Sequence, residues 1–408
     1  MKKYRAILIF SLILMLKFFS FKALDNSISN PLQLVGALIC VYYAFVNRNK
    51  KLARQGDFYK PIMIFLTGVF ISDITCLLFH DQDISNSLIG QRAFYCYFMY
   101  FFLYHIDADE KFMLSVFKFM FICVFLINTL DIIMIGNPPF SWRVDERRSS
   151  VSIFYYGRGF LILGSFYYLQ EFLKKKNLIY FAIYGICTLY SFLNVSRMLT
   201  IGVTLGSALI FLRYSRKGFA NFFIIIIILV GVAIVLSVYA DKILGSLFDL
   251  TQKQLSSSDS DVRTGAYNYF FTSFQPSVWT QIFGNGVPYN SAYEDLNDKI
   301  REVAKARVGD VGLVGVWVYF GFLAVISWLM VFYRTLLKKI SDDQLFIRAY
   351  MIVIFAEAFT GFATHNPEIM PTTIFALYWF ERLGVNKKIK KASTRRTIPK
   401  HLLNEQAL

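Results

Sequence analysis

Long hydrophobic stretches separated by short polar loops dominate the chain. Runs of about 18–22 apolar residues match the roughly 20 helical residues that cross the hydrocarbon core of a bilayer. Backbone groups inside lipid must bond within the protein, and the period-2 alternation of a membrane barrel is not seen, so we interpret these runs as helices. The pattern predicts an all-α polytopic membrane protein of about twelve spans: 4–21, 31–46, 61–79, 88–106, 112–135, 151–172, 178–193, 195–212, 219–240, 311–333, 345–363 and 370–383.

One long polar and aromatic segment, residues 241–310, interrupts this pattern. Nothing about crossing a bilayer requires a loop of this length, so we expect it to carry chemistry or recognition. The predicted organisation is nine spans in 1–240, the large loop in 241–310, three spans in 311–385 and a basic tail in 386–408.

The distribution of Lys and Arg predicts the orientation. If the N-terminus is cytoplasmic, most basic residues fall in loops on the cytoplasmic side, as the positive-inside rule requires. The short loops on the opposite side contain only Lys22, Arg143, Arg147 and Arg148. We therefore expect both termini in the cytoplasm and the long loop on the extracytoplasmic side of the membrane.

Composition agrees with a membrane protein, since 56% of the residues are hydrophobic, 18% are aromatic and 17% are charged. The net charge of +16 is mostly a topology signal, and no basic face of a folded domain indicates nucleic-acid binding. The tail is either purely topogenic or also contacts anionic lipid. The five cysteines all fall inside spans, which favours packing over a disulfide or metal framework: Cys40, Cys76, Cys96, Cys123 and Cys187.

Charged side chains inside the predicted spans share one level of the membrane. Such charges are costly in lipid and usually face protein or water. Asp310 opens the tenth span at this level, and Glu357 falls near mid-membrane. The pattern indicates either a polar cavity that opens outward or interfacial charges that snorkel and pair. The others at the extracytoplasmic level are Asp73, Arg92, Asp131, Arg158 and Arg197.

Two short outer loops carry arginines. Residues 136–150 contain Arg143, Arg147 and Arg148, whose planar guanidinium groups suit phosphate oxygens, although pairing with the neighbouring carboxylates is equally open. Ser196 and Arg197 join the seventh and eighth spans, where they either point into a cavity or act as a helix cap and a snorkelling charge.

The long loop contains three recognisable parts. Ser260 or Asp261 predicts a cap for a following helix, with Arg263 in its first turn. A tight turn at 284–286 is predicted to expose backbone N–H groups, and 290–308 is predicted to form an exposed charged helix. An aromatic stripe on the first helix suits either packing or sugar faces: Tyr267, Tyr269, Phe270, Phe271 and Phe274.

In this order, the elements along residues 140–325 resemble the bacterial O-antigen polymerase and ligase superfamily of polytopic membrane glycosyltransferases. The arginine-bearing loop comes first, followed by Ser196-Arg197 and by Arg263 with its aromatic residues. Residues 282–286 and then Asp310-Val311-Gly312, leading into 319–321, complete the pattern.

The resemblance implies a GT-C-like enzyme that needs neither metal nor cofactor. Such an enzyme transfers a glycan from an undecaprenyl diphosphate carrier to a lipid-linked acceptor on the extracytoplasmic face. Ligases of the superfamily often have a histidine before the helix that corresponds to the tenth span, where this chain has Gly309-Asp310, and this difference favours a polymerase.

The residue roles are assigned on this resemblance. Arginines are suited to the charge that builds on a departing diphosphate, and a carboxylate or histidine must deprotonate the acceptor hydroxyl. Arg263 with Arg147 or Arg148 is expected to hold the pyrophosphate, Arg197 to make a secondary donor contact, and Asp310 to act as the base. The remaining substrate-binding candidates are Arg143, Gly284, Gly286 and His365.

Two alternatives remain. The nearest is a ligase that moves finished glycan to another acceptor. The other is a transporter or flippase of lipid-linked oligosaccharide, although the chain shows neither two similar halves nor carboxylates spread through the bilayer. A chain-length regulator and a flippase are candidate protein partners.

Overall fold

The computed structural model describes residues 2–18, 26–46, 56–134, 157–193, 197–215, 262–304, 306–359, 361, 364 and 366–396. At 26–27, 132, 192–193, 197, 262–263 and 385–396 only the backbone is described. The regular elements in these ranges are all helices, with no strand among them, which confirms the all-α prediction.

The α-helices of the described ranges are, in chain order, α1 (Lys2–Met15), α2 (Asn26–Val46), α3 (Tyr59–His80), α4 (Ile84–Gly90), α5 (Phe98–His105), α6 (Glu110–Ile133), α7 (Arg158–Lys175), α8 (Leu178–Leu193), α9 (Arg197–Ser215), α10 (Val262–Thr272), α11 (Val278–Phe283), α12 (Ala292–Val303), α13 (Leu313–Phe332), α14 (Leu345–Glu357) and α15 (Met370–Arg396). Three 3₁₀ helices and one π-helix connect them: Arg92–Tyr97, Val308–Asp310, Asp342–Gln344 and Tyr333–Leu337.

Five apolar segments in the described ranges are long enough to cross a membrane. They are Ile28–Val46, Tyr59–His80, Glu110–Asp131, Met198–Ser215 and Leu313–Leu337, and Leu178–Ser191 is a shorter apolar helix. These helices indicate a membrane protein. The predicted span at 219–240 lies outside the described residues.

Several helix ends differ from the predicted spans. Helix α1 ends at Met15, so Lys17 lies in the turn that follows it. Helix α14 ends at Glu357, which places this carboxylate at a helix end, whereas the predicted span continues to residue 363. The predicted span 88–106 is broken into α4, the 3₁₀ helix Arg92–Tyr97 and α5.

The last predicted span is the most enclosed helix of the described bundle. Residues 370–381 are all buried, and α15 contacts α5, α6, α7 and α14. Around it, α3 packs along α13, α9 along α14, and α8 along α7. The backbone of α15 continues without a break to Arg396, so the boundary predicted at 385/386 falls inside a helix.

Contacts between helix ends define two opposite faces of the bundle. We call one the loop face because α10–α12 lie there; it includes the end of α1, the start of α7 and the end of α14. The other, the tail face, includes the starts of α1 and α6 and the end of α9. Pairs that mark the tail face are Arg5–Ser115, Asp57–Lys338, Lys174–Asp343, Arg213–Asp342 and Asp107–Arg382.

Helices α10–α12 form a second hydrophobic core on the loop face. Phe270 and Phe274 of α10 and the turn after it pack with Tyr293 and Ile300 of α12. Helix α11 begins with a capping box between Ser277 and Thr280 and contacts both α3 and α13. This second core fixes the long loop to the ends of two membrane helices.

Candidate functional site

A cavity of about 360 Å³ opens on the loop face, between the end of α1, the start of α2, the end of α4 and the segment before α15. Its volume lies in the range of small-molecule sites, which is about 300–1,000 Å³. Apolar residues such as Phe94 form part of the wall. The wall also contains five long polar side chains: Lys17, Gln33, Arg92, Asn366 and Glu368.

Arg92 is fixed at the start of the 3₁₀ helix that breaks the predicted span. Its Nη1 donates to the carbonyl of Ile89 at 3.0 Å, and its guanidinium lies over the ring of Tyr289 at 5.4 Å from the centroid. The Nε atom is buried, and the described part of the chain offers it no hydrogen-bond partner. The guanidinium therefore retains donor capacity beside the cavity.

Lys17 lies just beyond the last turn of α1. Its ammonium donates to the side-chain oxygen of Asn30 at 2.9 Å. Burial lowers the pKa of Lys17 to about 8; Arg92 acts in the same direction, and Glu368 acts in the opposite one. The lysine is therefore charged at neutral pH and close to its titration range.

Glu368 lies in a turn between α14 and α15. Its backbone N–H donates to the side-chain oxygen of Asn366 at 2.9 Å, which fixes the local conformation. The Oε2 atom is buried and has no hydrogen-bond partner among the described residues. Burial raises the pKa of Glu368, Arg158 and Lys17 oppose that rise, and Glu357 adds to it. Burial therefore outweighs the two neighbouring cations in setting the pKa of this carboxyl group.

Arg158 and Glu357 form a buried ion pair next to this group. Their closest N–O distance is 3.6 Å, and their side chains are 11% and 4% exposed. Arg158 begins α7 after Gly157, which adopts a left-handed conformation with φ of 71° and leaves no room for a Cβ beside Phe18 and Val124. The pair extends the charged cluster from the cavity wall into the bundle.

The arrangement provides three cations and two carboxylates at one end of a membrane bundle. Lys17 and Arg92 face a common cavity, so an anion with several oxygen atoms can contact both. Glu368 supplies a carboxylate on the same wall. Among the described residues, no group of three or more His, Cys, Asp or Glu side chains is arranged to hold a metal ion.

Most of the site residues predicted from the sequence cannot be compared with this cavity. Arg143, Arg147, Arg148 and His365 lie outside the described residues. Arg263 lies in the first turn of α10, as predicted, and Arg197 begins α9, but only their backbones are described.

Asp310 ends the 3₁₀ helix Val308–Asp310 and does not line the cavity. Its N–H donates to the carbonyl of Arg307 at 3.0 Å. The segment that follows contacts the end of α14, because Leu313 N–H donates to the carbonyl of Ala358 at 2.7 Å. Tyr267 of α10 also donates from its hydroxyl to the carbonyl of Phe359, so α10 reaches the same helix end.

The turn at 284–286 is not a set of exposed donors, and this prediction is wrong. The N–H of Gly284 donates to Thr280 O at 2.8 Å, and that of Gly286 donates to Tyr319 O at 2.8 Å. The N–H of Asn285 donates to Val318 O at 2.9 Å. The first bond ends helix α11, and the other two attach the turn to α13.

The reason for this attachment is a break inside α13. Gly321 has φ of 73° and ψ of −173°, values outside the helical region, so the helical hydrogen-bond ladder is interrupted there. The carbonyls of Val318 and Tyr319, which precede the break, accept the bonds from the 284–286 turn. The two glycine-containing motifs noted in the sequence therefore form one docked structural unit.

The aromatic stripe of α10 is mostly a packing surface. Phe270 is fully buried and Phe274 nearly so. Phe271 is 57% exposed and stacks on Trp317 with a centroid distance of 5.3 Å. The charged helix predicted at 290–308 is confirmed, since α12 exposes Glu294, Asp295 and Asp298 while it buries Tyr293 and Ile300.

Sequence reasoning missed two residues of the cavity. Lys17 was included in the first predicted span, and the early end of α1 moves it out of the helix. Glu368 was not among the site residues predicted from the sequence. The available signal was the combination of two turn residues, Asn366 and Pro367, with the acidic Glu368 directly before the last predicted span.

The chain matches none of the protein families against which it was compared, and no curated protein is significantly similar to it.

Proposed function

We propose that this protein is a polysaccharide repeat-unit polymerase of the bacterial cytoplasmic membrane, making O-antigen, capsule or exopolysaccharide. It transfers a growing glycan from undecaprenyl diphosphate to a lipid-linked repeat unit, with the loop face outside the cell. The observation that carries the proposal is the cavity on that face, where Lys17, Arg92 and Glu368 share one wall.

The chemistry of the cavity fits a lipid-linked sugar donor. A glycosyl diphosphate carries its own leaving group, so the enzyme needs cations for the departing diphosphate and a base for the acceptor hydroxyl. Lys17 and Arg92 provide cationic donors, and their location at the ends of membrane helices suits a ligand whose tail remains in the bilayer.

The arginines assigned from the sequence belong to the same proposal. Arg263 and Arg147 or Arg148 would close over the diphosphate from the outer loops, Arg143 would support them, and Arg197 would make the secondary donor contact. His365 is a further substrate-binding candidate, and the docked turn at Gly284 and Gly286 would shape the binding site through its packing on α13.

We propose twelve spans in total, both termini in the cytoplasm and a GT-C-like arrangement without metal or cofactor. Two observations support this topology. The described part contains five helices long enough to cross a membrane, with shorter helices beside them, and the helix ends alternate between the loop face and the tail face. A chain-length regulator and a flippase are proposed partners.

The test is chain extension by the purified protein in lipid nanodiscs. The substrate is a synthetic undecaprenyl diphosphate oligosaccharide of one repeat unit, and product length is read by gel electrophoresis and mass spectrometry. We expect products of two or more repeats. Arg92→Ala should reduce extension at least tenfold, because a charge-assisted contact with phosphate is worth about 1.5–3 kcal/mol.

Matched controls separate site chemistry from general damage. Arg301→Ala and Lys299→Ala remove exposed cations from α12 and should leave extension unchanged. Absence of longer products from the wild-type protein would refute the polymerase. Transfer only to a different acceptor would indicate a ligase, and movement of the intact donor between leaflets would indicate a flippase.

A further inference from the structure

We infer that Glu368 is the catalytic base that deprotonates the acceptor hydroxyl, a role that rests on the proposed function. The inference starts from geometry: Glu368 lines the same cavity as Lys17 and Arg92. In the described chain its Oε2 atom is buried without a hydrogen-bond partner. A buried acceptor without a partner is energetically costly, so this atom requires a function that offsets its cost.

The other carboxylates of the loop face are less suited to this role. Glu357 forms the ion pair with Arg158 inside the bundle and does not line the cavity. Asp310, the base expected from the sequence, lies at the start of α13 and is also absent from the cavity wall. Asp73 is buried in the middle of α3 and does not line the cavity.

Hydrogen bonds fix the backbone from which the Glu368 side chain extends. The side chain of Asn366 accepts the Glu368 N–H at 2.9 Å, and the N–H groups of Ile369 and Met370 donate to the carbonyl of Asn366 at 3.0 Å. This turn is continuous with α15, the most enclosed helix of the described bundle. An ordered backbone at this position favours the defined geometry that general-base catalysis requires.

The proposed step is balanced in atoms and charge. The acceptor hydroxyl gives its proton to a Glu368 oxygen while its own oxygen bonds to the anomeric carbon of the donor. The bond between that carbon and the diphosphate oxygen breaks, and undecaprenyl diphosphate leaves with the electron pair. Lys17 and Arg92 bind the charge that develops on it, and the proton on Glu368 is later released to water.

The environment of Glu368 also predicts the pH dependence of the step. Burial raises the pKa of the carboxyl group, whereas Arg158 and Lys17 keep it from rising further and Glu357 acts with burial. Only the ionised form accepts a proton, so the turnover rate should fall as pH drops through that raised pKa. This acidic limb should lie above the usual pKa of a glutamate, which is about 4.3.

The experiment compares Glu368→Gln, Glu368→Asp and wild type in the nanodisc extension assay. Loss of a general base costs about 10²–10⁴-fold, so we expect Glu368→Gln to lower kcat at least 100-fold. Its KM for the donor should stay the same or fall, because a negative charge has been removed near the diphosphate. Glu368→Asp should recover part of the rate and keep the acidic limb, which the residual activity of Glu368→Gln should lack.

Further measurements distinguish the base from a structural role and from failure of the proposed function. Binding of a soluble short-chain polyprenyl diphosphate by Glu368→Gln should equal or exceed that of wild type, and protein yield should match that of the exposed control Glu302→Gln. Asp310→Asn should keep at least half of the wild-type rate. An active wild type whose Glu368→Gln variant extends chains at the normal rate would overturn the base alone. An inactive wild type that binds the probe would overturn the polymerase itself.

Discussion

In the proposed function, the charge of the Lys17 ammonium contributes to the affinity of the cavity for an anion. Its pKa of about 8 places its titration within an accessible pH range. Below this pH the lysine is charged, and above it the cavity loses one of its cations. Because Asn30 is its hydrogen-bond partner and no carboxylate forms an ion pair with it in the described chain, this charge is available to a ligand.

We predict that the affinity for a soluble polyprenyl diphosphate falls about tenfold or more as pH rises through about 8. The affinity falls because Lys17 loses its proton and with it a positive charge. A bound anion stabilises the charged form of Lys17, so in the complex the lysine loses its proton at a higher pH. Isothermal titration calorimetry between pH 7 and 10 measures the effect. Lys17→Arg should bind with no step in this range, and an identical step in that variant would exclude Lys17 as its source.

The buried ion pair makes a second prediction at the residue scale. Arg158→Leu leaves the carboxylate of Glu357 buried without its partner, and we expect a loss of about 3–5 kcal/mol in the free energy of unfolding. Denaturation by SDS in mixed micelles measures the loss. The double variant Arg158→Leu/Glu357→Leu should recover most of it.

Its control is the exposed pair of Arg301 and Asp298, whose side chains are 55% and 58% exposed. Arg301→Ala should change the free energy of unfolding by less than about 1 kcal/mol, because exposed pairs contribute little. An Arg158→Leu variant as stable as this control would show that the pair contributes little to folding.

At the scale of elements, the break in α13 and the turn at 284–286 depend on each other. A Cβ on Gly284 would lie 2.3 Å from the carbonyl oxygen of Tyr319, and a Cβ on Gly321 would lie 2.2 Å from that of Ile282. Both glycines also have positive φ, which side chains with a Cβ rarely adopt. Neither Gly284 nor Gly321 can therefore be replaced by a residue with a Cβ unless the turn and α13 move apart.

We expect Gly284→Ala and Gly321→Ala to displace α11 from α13 and to reduce the yield of folded protein strongly. Gly265→Ala is the matched control, because a Cβ there meets nothing within 4 Å and lies within helix α10. That variant should be neutral or more stable by up to about 1 kcal/mol. Size-exclusion chromatography and SDS denaturation measure the folding of the three variants. Normal folding of both Gly284→Ala and Gly321→Ala would show that the turn and the break in α13 do not depend on each other.

At the scale of the whole molecule, the two faces of the bundle predict a sidedness. Lys299 of α12 lies on the loop face, and Lys338 pairs with Asp57 on the tail face. In a background without the five native cysteines, Lys299→Cys should react with a membrane-impermeant maleimide in intact cells. Lys338→Cys should react only after the membrane is opened, and the reverse pattern would place the cavity in the cytoplasm.

The sequence by itself determined the helical class, the presence of apolar helices long enough to cross a membrane, and the nature of the charged helix α12. These features depend on local periodicity and composition, which each segment expresses independently of its neighbours. The same reasoning located α8 at its observed bounds, Leu178–Leu193, and the start of α10 with Arg263 in its first turn.

Only the tertiary structure decided which residues share the cavity. Lys17, Arg92 and Glu368 are separated by up to several hundred positions, and no local pattern joins them. The early end of α1 depends on packing and turn geometry, and the docked turn at 284–286 depends on the break at Gly321. Long-range contacts of this kind satisfy buried polar groups across the fold, and for that reason they are visible only once the chain is folded.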